Sequence, residues 1–189
     1  FTVALVFSCL CNLAILLCWG TPDAGLFLTN YLGYWFTGLA MLAIGMVASF
    51  LTGNLTVGFI LGVLFNAPLA LADRAGLVMG PGLAERVRGW SLAEQFSDFG
   101  RGVVGLPAMA YFIGIVAACL YLAMVLIGRR HWAGRRDGGA AGLHYLARFA
   151  GLLAAVAGVV LLLQSLDKRV GLRADLSAER ISSIAPDTR

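Results

Sequence analysis

The sequence predicts an all-α fold: a polytopic transmembrane helix bundle of about five membrane-spanning helices plus one interfacial amphipathic helix. Three observations predict it. Of the 189 residues, 60% are hydrophobic and only 13% charged, with a mean hydropathy of +0.85. A soluble domain is about 45–50% apolar and about 25% charged. Within residues 1–72 the one charged side chain is Asp23. Apolar runs close to the roughly 20 residues needed to cross a hydrocarbon core about 30 Å thick recur along the chain, separated by short polar breaks. These features exclude a water-soluble globular enzyme and a disordered chain. They also exclude a nucleic-acid binder, because the net charge of +4 is spread over loops and tail with no basic face interleaved with aromatics.

Residues 1–19 form the first span, closed by the turn-rich Gly20-Thr21-Pro22-Asp23. Phe1 stands directly in this run with no basic stretch ahead of it. That predicts a piece of a longer chain and no cleavable signal peptide. Residues 31–51 form the second span, with Tyr31, Tyr34 and Trp35 as interface anchors at its start. After Thr52-Gly53-Asn54, residues 57–72 make a third, with Asn66 and Pro68 late in it. At about 1.5 Å per residue it covers only about 24 Å, so it must extend into its flanks or thin the bilayer. Residues 106–128 and 145–166 are the fourth and fifth. Each must be helical, because lipid offers no partner to a free backbone N–H or C=O. Cys9, Cys11, Cys18 and Cys119 lie inside these runs and lack the spacing of a disulfide framework or a metal site.

The segment between the third and fourth spans is not simple loop. Ser91-Leu92-Ala93-Glu94 has the form of a capping box. Leu92, Phe96, Phe99 and Val103 recur at spacings of four, three and four, which is one helical face, and Glu94, Gln95, Asp98 and Arg101 occupy the other. Such a helix lies in the interface rather than crossing it. It reads either as a connector packed on its neighbours or as a lid at the mouth of a translocation path. In the second case Leu92, Phe96, Asp98, Phe99, Arg101 and Val103 are the candidate gate.

Gly58…Gly62, Gly114…Ala118 and Ala154…Gly158 fit the small-xxx-small rule for close helix contact. No catalytic constellation is present. The only lysine, Lys168, stands in no phosphate-binding loop, and His131 and His144 have no cysteine or carboxylate cluster beside them. The chain is therefore expected to be no ATPase and to hold no cofactor or metal. The candidate polar-path residues inside the spans are Asn12, Thr37, Ser49 and Asn66, which read equally as lining of a path or as interhelical glue. Arg148, early in the last span, can snorkel to the headgroups. Arg129, Arg130, Arg135 and Arg136 form a dense basic cluster that suggests a cytoplasmic loop, whereas the bare count of Lys and Arg favours the opposite side; composition leaves the orientation open.

A resemblance enters on Tyr31-Leu32-Gly33-Tyr34-Trp35, on Ala43-Ile44-Gly45-Met46-Val47-Ala48-Ser49 followed by Leu51-Thr52-Gly53-Asn54, and on Phe96-Ser97-Asp98-Phe99-Gly100-Arg101-Gly102-Val103. Tyr111-Phe112 and Arg129-Arg130-His131-Trp132 close it. Through these, residues 1–132 resemble the C-terminal part of a type 2 ABC exporter permease of the gliding-motility-associated family. Residues 172–188 resemble the start of the partner in such systems, the gliding-motility auxiliary protein. The resemblance implies a division into permease (residues 1–132), a basic, glycine-rich cytoplasmic linker (133–144), a membrane anchor helix (145–166) and the beginning of an extracytoplasmic domain (167–189). It implies that two earlier permease helices and a cytoplasmic coupling segment are missing here, and that the basic cluster is cytoplasmic. It further implies a bacterial cytoplasmic (inner) membrane, a separate ATP-binding subunit, a second permease copy and extracytoplasmic partners. The function so implied is the transmembrane subunit of an ABC transporter, with energy from the partner ATPase. The alternative is a non-transporting scaffold that passes ATPase-driven mechanical work to envelope partners. A membrane-embedded enzyme would need clustered His, Asp, Glu or Ser pairs that the chain lacks.

Overall fold

The computed structural model describes residues 1–77, 80–129, 138–170 and 173–176. In order these form α1 (Thr2–Trp19), α2 (Ala24–Leu51), α3 (Leu55–Leu71), a 3-10 turn (Ala72–Leu77), α4 (Pro81–Arg88), α5 (Leu92–Gly100), β1 (Val103–Gly105), α6 (Leu106–Arg129), α7 (Gly138–Val170) and β2 (Arg173–Asp175). Five of these helices are long and apolar enough to cross a membrane. The chain is an all-α, multi-pass membrane bundle, and the one sheet among the described residues is a two-stranded ribbon.

Local chemistry sets the helix ends. The Asp23 carboxylate accepts hydrogen bonds from the backbone of Gly25 (2.9 Å) and Leu26 (3.1 Å), so α2 starts there and not near Tyr31. A side-chain acceptor at this position satisfies N–H groups that have no partner within the helix. Tyr31, Tyr34 and Trp35 therefore sit inside the helix, beyond its first turn. Asn54 caps α3 in the same way, through Thr56 (2.9 Å) and Val57 (3.3 Å). The short third span is resolved by extension: its apolar helical stretch runs from Leu55 through the 3-10 turn to Arg74.

Within the segment read from the sequence as a linker, residues 133–144, helix α7 begins at Gly138. Helix propagation from a long apolar stretch adds one hydrogen bond per residue fixed. That outweighs the cost of about 1 kcal/mol for each early glycine. Residues 130–137 lie outside the described residues, as do Arg130, Arg135 and Arg136 of the basic cluster; of Arg129 only the backbone is described.

Packing centres on α2, which touches α3, α5 and α6, while α7 lies along α6. The core joins Phe36 and Ala40 of α2, Leu92 and Phe99 of α5, Ala108, Tyr111 and Phe112 of α6, and Val160 of α7. Two of the three small-residue pairs mark real crossings. Gly58 and Gly62 bring α3 against Ser49, Gly45 and Ala48 of α2, and Gly114 admits the Val156 side chain of α7 so closely that no Cβ would fit. Gly158 faces open space. By contrast α1 rests on α2 with no residue buried, held by Asn12 donating to the Tyr31 hydroxyl (2.8 Å) and Trp35 donating to Thr2 (3.3 Å).

Successive spans run up and down. The α1–α2 turn, the 3-10 turn, α4, α5, β1 and β2 thus share one end of the bundle, and the α2–α3 turn lies at the other with the facing ends of α6 and α7. The ribbon ties the first end together. β1 and β2 are antiparallel with Val104 opposite Ala174, the Leu176 N–H donates to the Gly102 carbonyl (3.0 Å), and the Leu176 carbonyl lies against Gly25, where no Cβ could be accommodated.

Candidate functional site

The segment that the sequence marks as a candidate gate is split by the structure into two roles. Ser91 is buried and its hydroxyl accepts from the Glu94 N–H (2.9 Å), which starts α5 as the capping-box pattern predicts. The Glu94 carboxylate does not simply turn back on the cap; it lies 3.8 Å from the Arg88 guanidinium at an exposed edge. The apolar side of α5 meets protein. Phe99 is fully buried beside Phe36 and Phe112, with ring centroids 6.1 and 6.3 Å away, and Leu92 is buried too. Phe96 seats on Gly33, where a Cβ would come within 2.7 Å of its ring, and packs on Tyr34 at 5.0 Å.

Val103 is the correction. It does not continue the helical face, because α5 ends at Gly100 and Gly102 turns the chain with φ 82. Positive φ is a conformation glycine adopts without steric cost. Val103 leaves that turn in β1, and its buried side chain joins the core from a strand.

The polar side of α5 lines a cavity of about 650 Å³. Glu94, Gln95 and Asp98 come from α5, Arg101 from the residue just after it, Glu85 from α4, and Gln164 and Asp167 from the last turns of α7. Its wall is held in place by two hydrogen bonds. The Gln95 carboxamide donates to the Gly89 carbonyl (2.8 Å), and the Tyr111 hydroxyl donates to the Trp90 carbonyl (2.6 Å). The first closes the α4–α5 turn on α5, and the second fixes that turn to α6. Asp98 and Arg101, singled out in the sequence, therefore face the same cavity. Glu85, Trp90, Gln164 and Asp167 were missed. Gln164 and Asp167 stand three apart at the end of an apolar span, a one-sided polar stripe that could have flagged them.

Among the described residues, the lining carries the carboxyl groups of Glu85, Glu94, Asp98 and Asp167 and the Arg101 guanidinium, with Glu94 paired to Arg88 at its exposed edge. Among the described residues no group of three or more His, Cys, Asp or Glu side chains is disposed to hold a metal ion.

The four polar residues of the spans do not converge. Ser49 and Asn66 share a largely apolar groove of about 580 Å³ between α2 and α3. There the Asn66 carboxamide donates to the carbonyls of Gly62 (2.8 Å) and Met41 (3.4 Å), and its buried oxygen is left without a partner. The Thr37 hydroxyl is likewise buried without a hydrogen bond, and Asn12 is used in holding α1. Asn12 and Asn66 thus hold helices together, and among the described residues Asn12 and Thr37 do not join Ser49 and Asn66 in that groove. A further pocket, of about 320 Å³ and almost wholly apolar, is lined by Ile44 of α2, Phe65 and Leu69 of α3, Trp90, and residues of α6 and α7.

Fold and site together define a multi-pass helical membrane protein with a polar cavity at one end of its α6–α7 seam. Neither a family model, a curated protein nor a solved structure matches the chain.

Proposed function

We propose that the chain is the transmembrane (permease) subunit of an ABC transporter of exporter type, driven by a separate ATPase subunit in the bacterial cytoplasmic membrane. The observation that carries this reading is the polar cavity at the mouth of a five-span apolar bundle, where the amphipathic segment of the permease-like region places Asp98 and Arg101. Hydrolysis on the partner would tilt the spans, and the α6–α7 seam below the cavity would open to one side and then the other. The chain itself makes and breaks no covalent bond in this cycle.

One observation favours the scaffold alternative. The β1–β2 ribbon couples residues 173–176, which follow α7, to α5, α6 and the start of α2, which suits the passage of force. The two readings separate in one experiment. The full-length gene product, purified from its own membranes, is expected to recover a phosphate-binding-loop ATPase and to hydrolyse no ATP alone. Gln164→Trp, which narrows the cavity from its rim, should then leave partner-dependent ATP hydrolysis in place while uncoupling it from the physiological output. Undiminished output from this variant would favour the scaffold, and robust hydrolysis by the partner-free chain would remove both readings.

A further inference from the structure

We infer that the connector leaving α3 is seated in the bilayer interface, with Leu77 and Leu83 in the acyl boundary and the charged residues on either side of them at headgroup level. The sequence sets the pattern. Residues 75–84 hold no charged or polar side chain, whereas Asp73 and Arg74 precede them and Glu85, Arg86 and Arg88 follow. A connection that stands in water is ordinarily polar. The structure shows which apolar residues of this stretch find protein. The 3-10 turn and α4 pack on each other, Ala84 is buried, and a Cβ on Gly76 would lie 4.0 Å from it. Leu77 and Leu83, each next in the chain to one of that pair, are left uncovered at 85% and 57% exposed.

The surroundings select the bilayer as the occupant. This surface continues the lipid-facing side of α3, whose apolar stretch runs on to Arg74 and whose last residue, Leu71, is itself exposed. The neighbouring elements have no apolar side to spare. Leu92 and Phe99 of α5 are spent on α2 and α6, and among the described residues α4 packs on the 3-10 turn rather than on a span. An apolar patch at the end of a membrane span, bracketed by charge, fits a surface that is hydrocarbon below and polar above. Asp73, Arg74, Glu85 and Arg88 are all exposed, so each can stay in the headgroup layer while the leucines enter hydrocarbon. The seat bears on the polar cavity as well. Glu85 on α4 is part of its lining, so the interface holds the α4 side of the cavity in place. The seat requires no ATPase partner, so it stands or falls apart from the transport proposal.

The test uses the full chain in phosphatidylcholine vesicles, with Cys9, Cys11, Cys18 and Cys119 replaced by alanine and one nitroxide attached at a time. Collisions with oxygen, which concentrates in hydrocarbon, and with a water-soluble nickel chelate place each label in depth. Phe59→Cys, at an exposed position within α3, is the hydrocarbon reference, and Gly53→Cys, at the turn on the other end of the bundle, is the water reference. Labels at Leu77→Cys and Leu83→Cys are expected about 5–10 Å inside the headgroup boundary, with an oxygen-to-nickel collision ratio about tenfold above that of Gly53→Cys. Glu85→Cys should fall close to Gly53→Cys. Leu77→Asp combined with Leu83→Asp should release α4, read as a loss of the immobilised component in the spectrum of Glu85→Cys, with that of Phe59→Cys unchanged. Collision ratios at 77 and 83 equal to that of Gly53→Cys would put both leucines in water and overturn the seat. Shielding of both labels from oxygen and nickel alike would overturn it too, by showing that a protein surface covers them. An unchanged Glu85→Cys spectrum in the Leu77→Asp, Leu83→Asp background would overturn the hold of the interface on α4.

Discussion

Gly33 and Phe99 decide how α5 sits. A side chain at Gly33 would meet the Phe96 ring and the Phe99 Cβ, the latter at 2.8 Å, and neither can retreat far because Phe99 is fully buried. Overpacking a filled contact of this kind costs about 1–3 kcal/mol, so Gly33→Leu should lower the unfolding midpoint of the detergent-solubilised chain. Phe99→Ala should cost about 3–5 kcal/mol by leaving a cavity among Phe36, Phe112 and Leu92. The Arg88–Glu94 pair makes a useful contrast. Both side chains are more than half exposed, 64% and 51%. Exposed ion pairs typically contribute about 0.2–1 kcal/mol, so Arg88→Ala should be nearly silent in the same melt. A larger loss from Arg88→Ala than from Phe99→Ala would mean that the polar edge, and not the aromatic seat, places α5.

At the scale of elements, the capping interactions and the ribbon act on different ranges. Ser91→Ala removes one local acceptor, with an expected loss of about 0.5–2 kcal/mol confined to the start of α5. The β1–β2 pairing instead joins residues far apart in the chain. Val103 and Asp175 are opposite each other in its register. With Cys9, Cys11, Cys18 and Cys119 replaced by alanine, Val103→Cys with Asp175→Cys should therefore form a disulfide on mild oxidation, read as a mobility shift on a gel. Val103→Cys with Leu166→Cys should form none, because Leu166 lies in α7, outside the ribbon. Absence of the first cross-link would show that the chain after α7 is not tied to β1, and would withdraw the support the ribbon lends to the scaffold reading.

At the scale of the whole molecule, the alternation of spans makes a labelling pattern. Gly20 and Gly53 face open space, and Gly76 has only Ala84 nearby at 4.0 Å, so each accepts a cysteine without strain. In the cysteine-free background, Gly20→Cys and Gly76→Cys should react alike with an impermeant reagent in intact cells, and Gly53→Cys should behave oppositely. If the basic cluster that begins at Arg129 is cytoplasmic, Gly53→Cys is the shielded one. Labelling of Gly53→Cys with protection of the other two would reverse the orientation while preserving the bundle. Equal labelling of all three would contradict the number of crossings.

The sequence by itself determined the five spans, the helix start at Ser91, and the amphipathic division of residues 91–101. Those features follow from constraints that act over a few residues: a backbone in lipid must pair its own polar groups, and a cap must lie within three positions of the N–H it satisfies. The tertiary structure alone decided what each face meets. Helical periodicity marks Leu92, Phe96 and Phe99 as one side of α5 but cannot tell lipid from α2 and α6. In the same way Asp98 and Arg101 could not be known to face Gln164 and Asp167 some 60 residues on, since that depends on α7 returning along α6 to Gly114. Val103 strayed from its predicted face because one positive-φ glycine changed the period from helix to strand. Polar residues inside spans carry no record of their partners at all, which is why Ser49 and Asn66 share a groove while Asn12 and Thr37 do not. Such meetings are set by long-range packing, where the shape of one helix surface selects the neighbour that fits it.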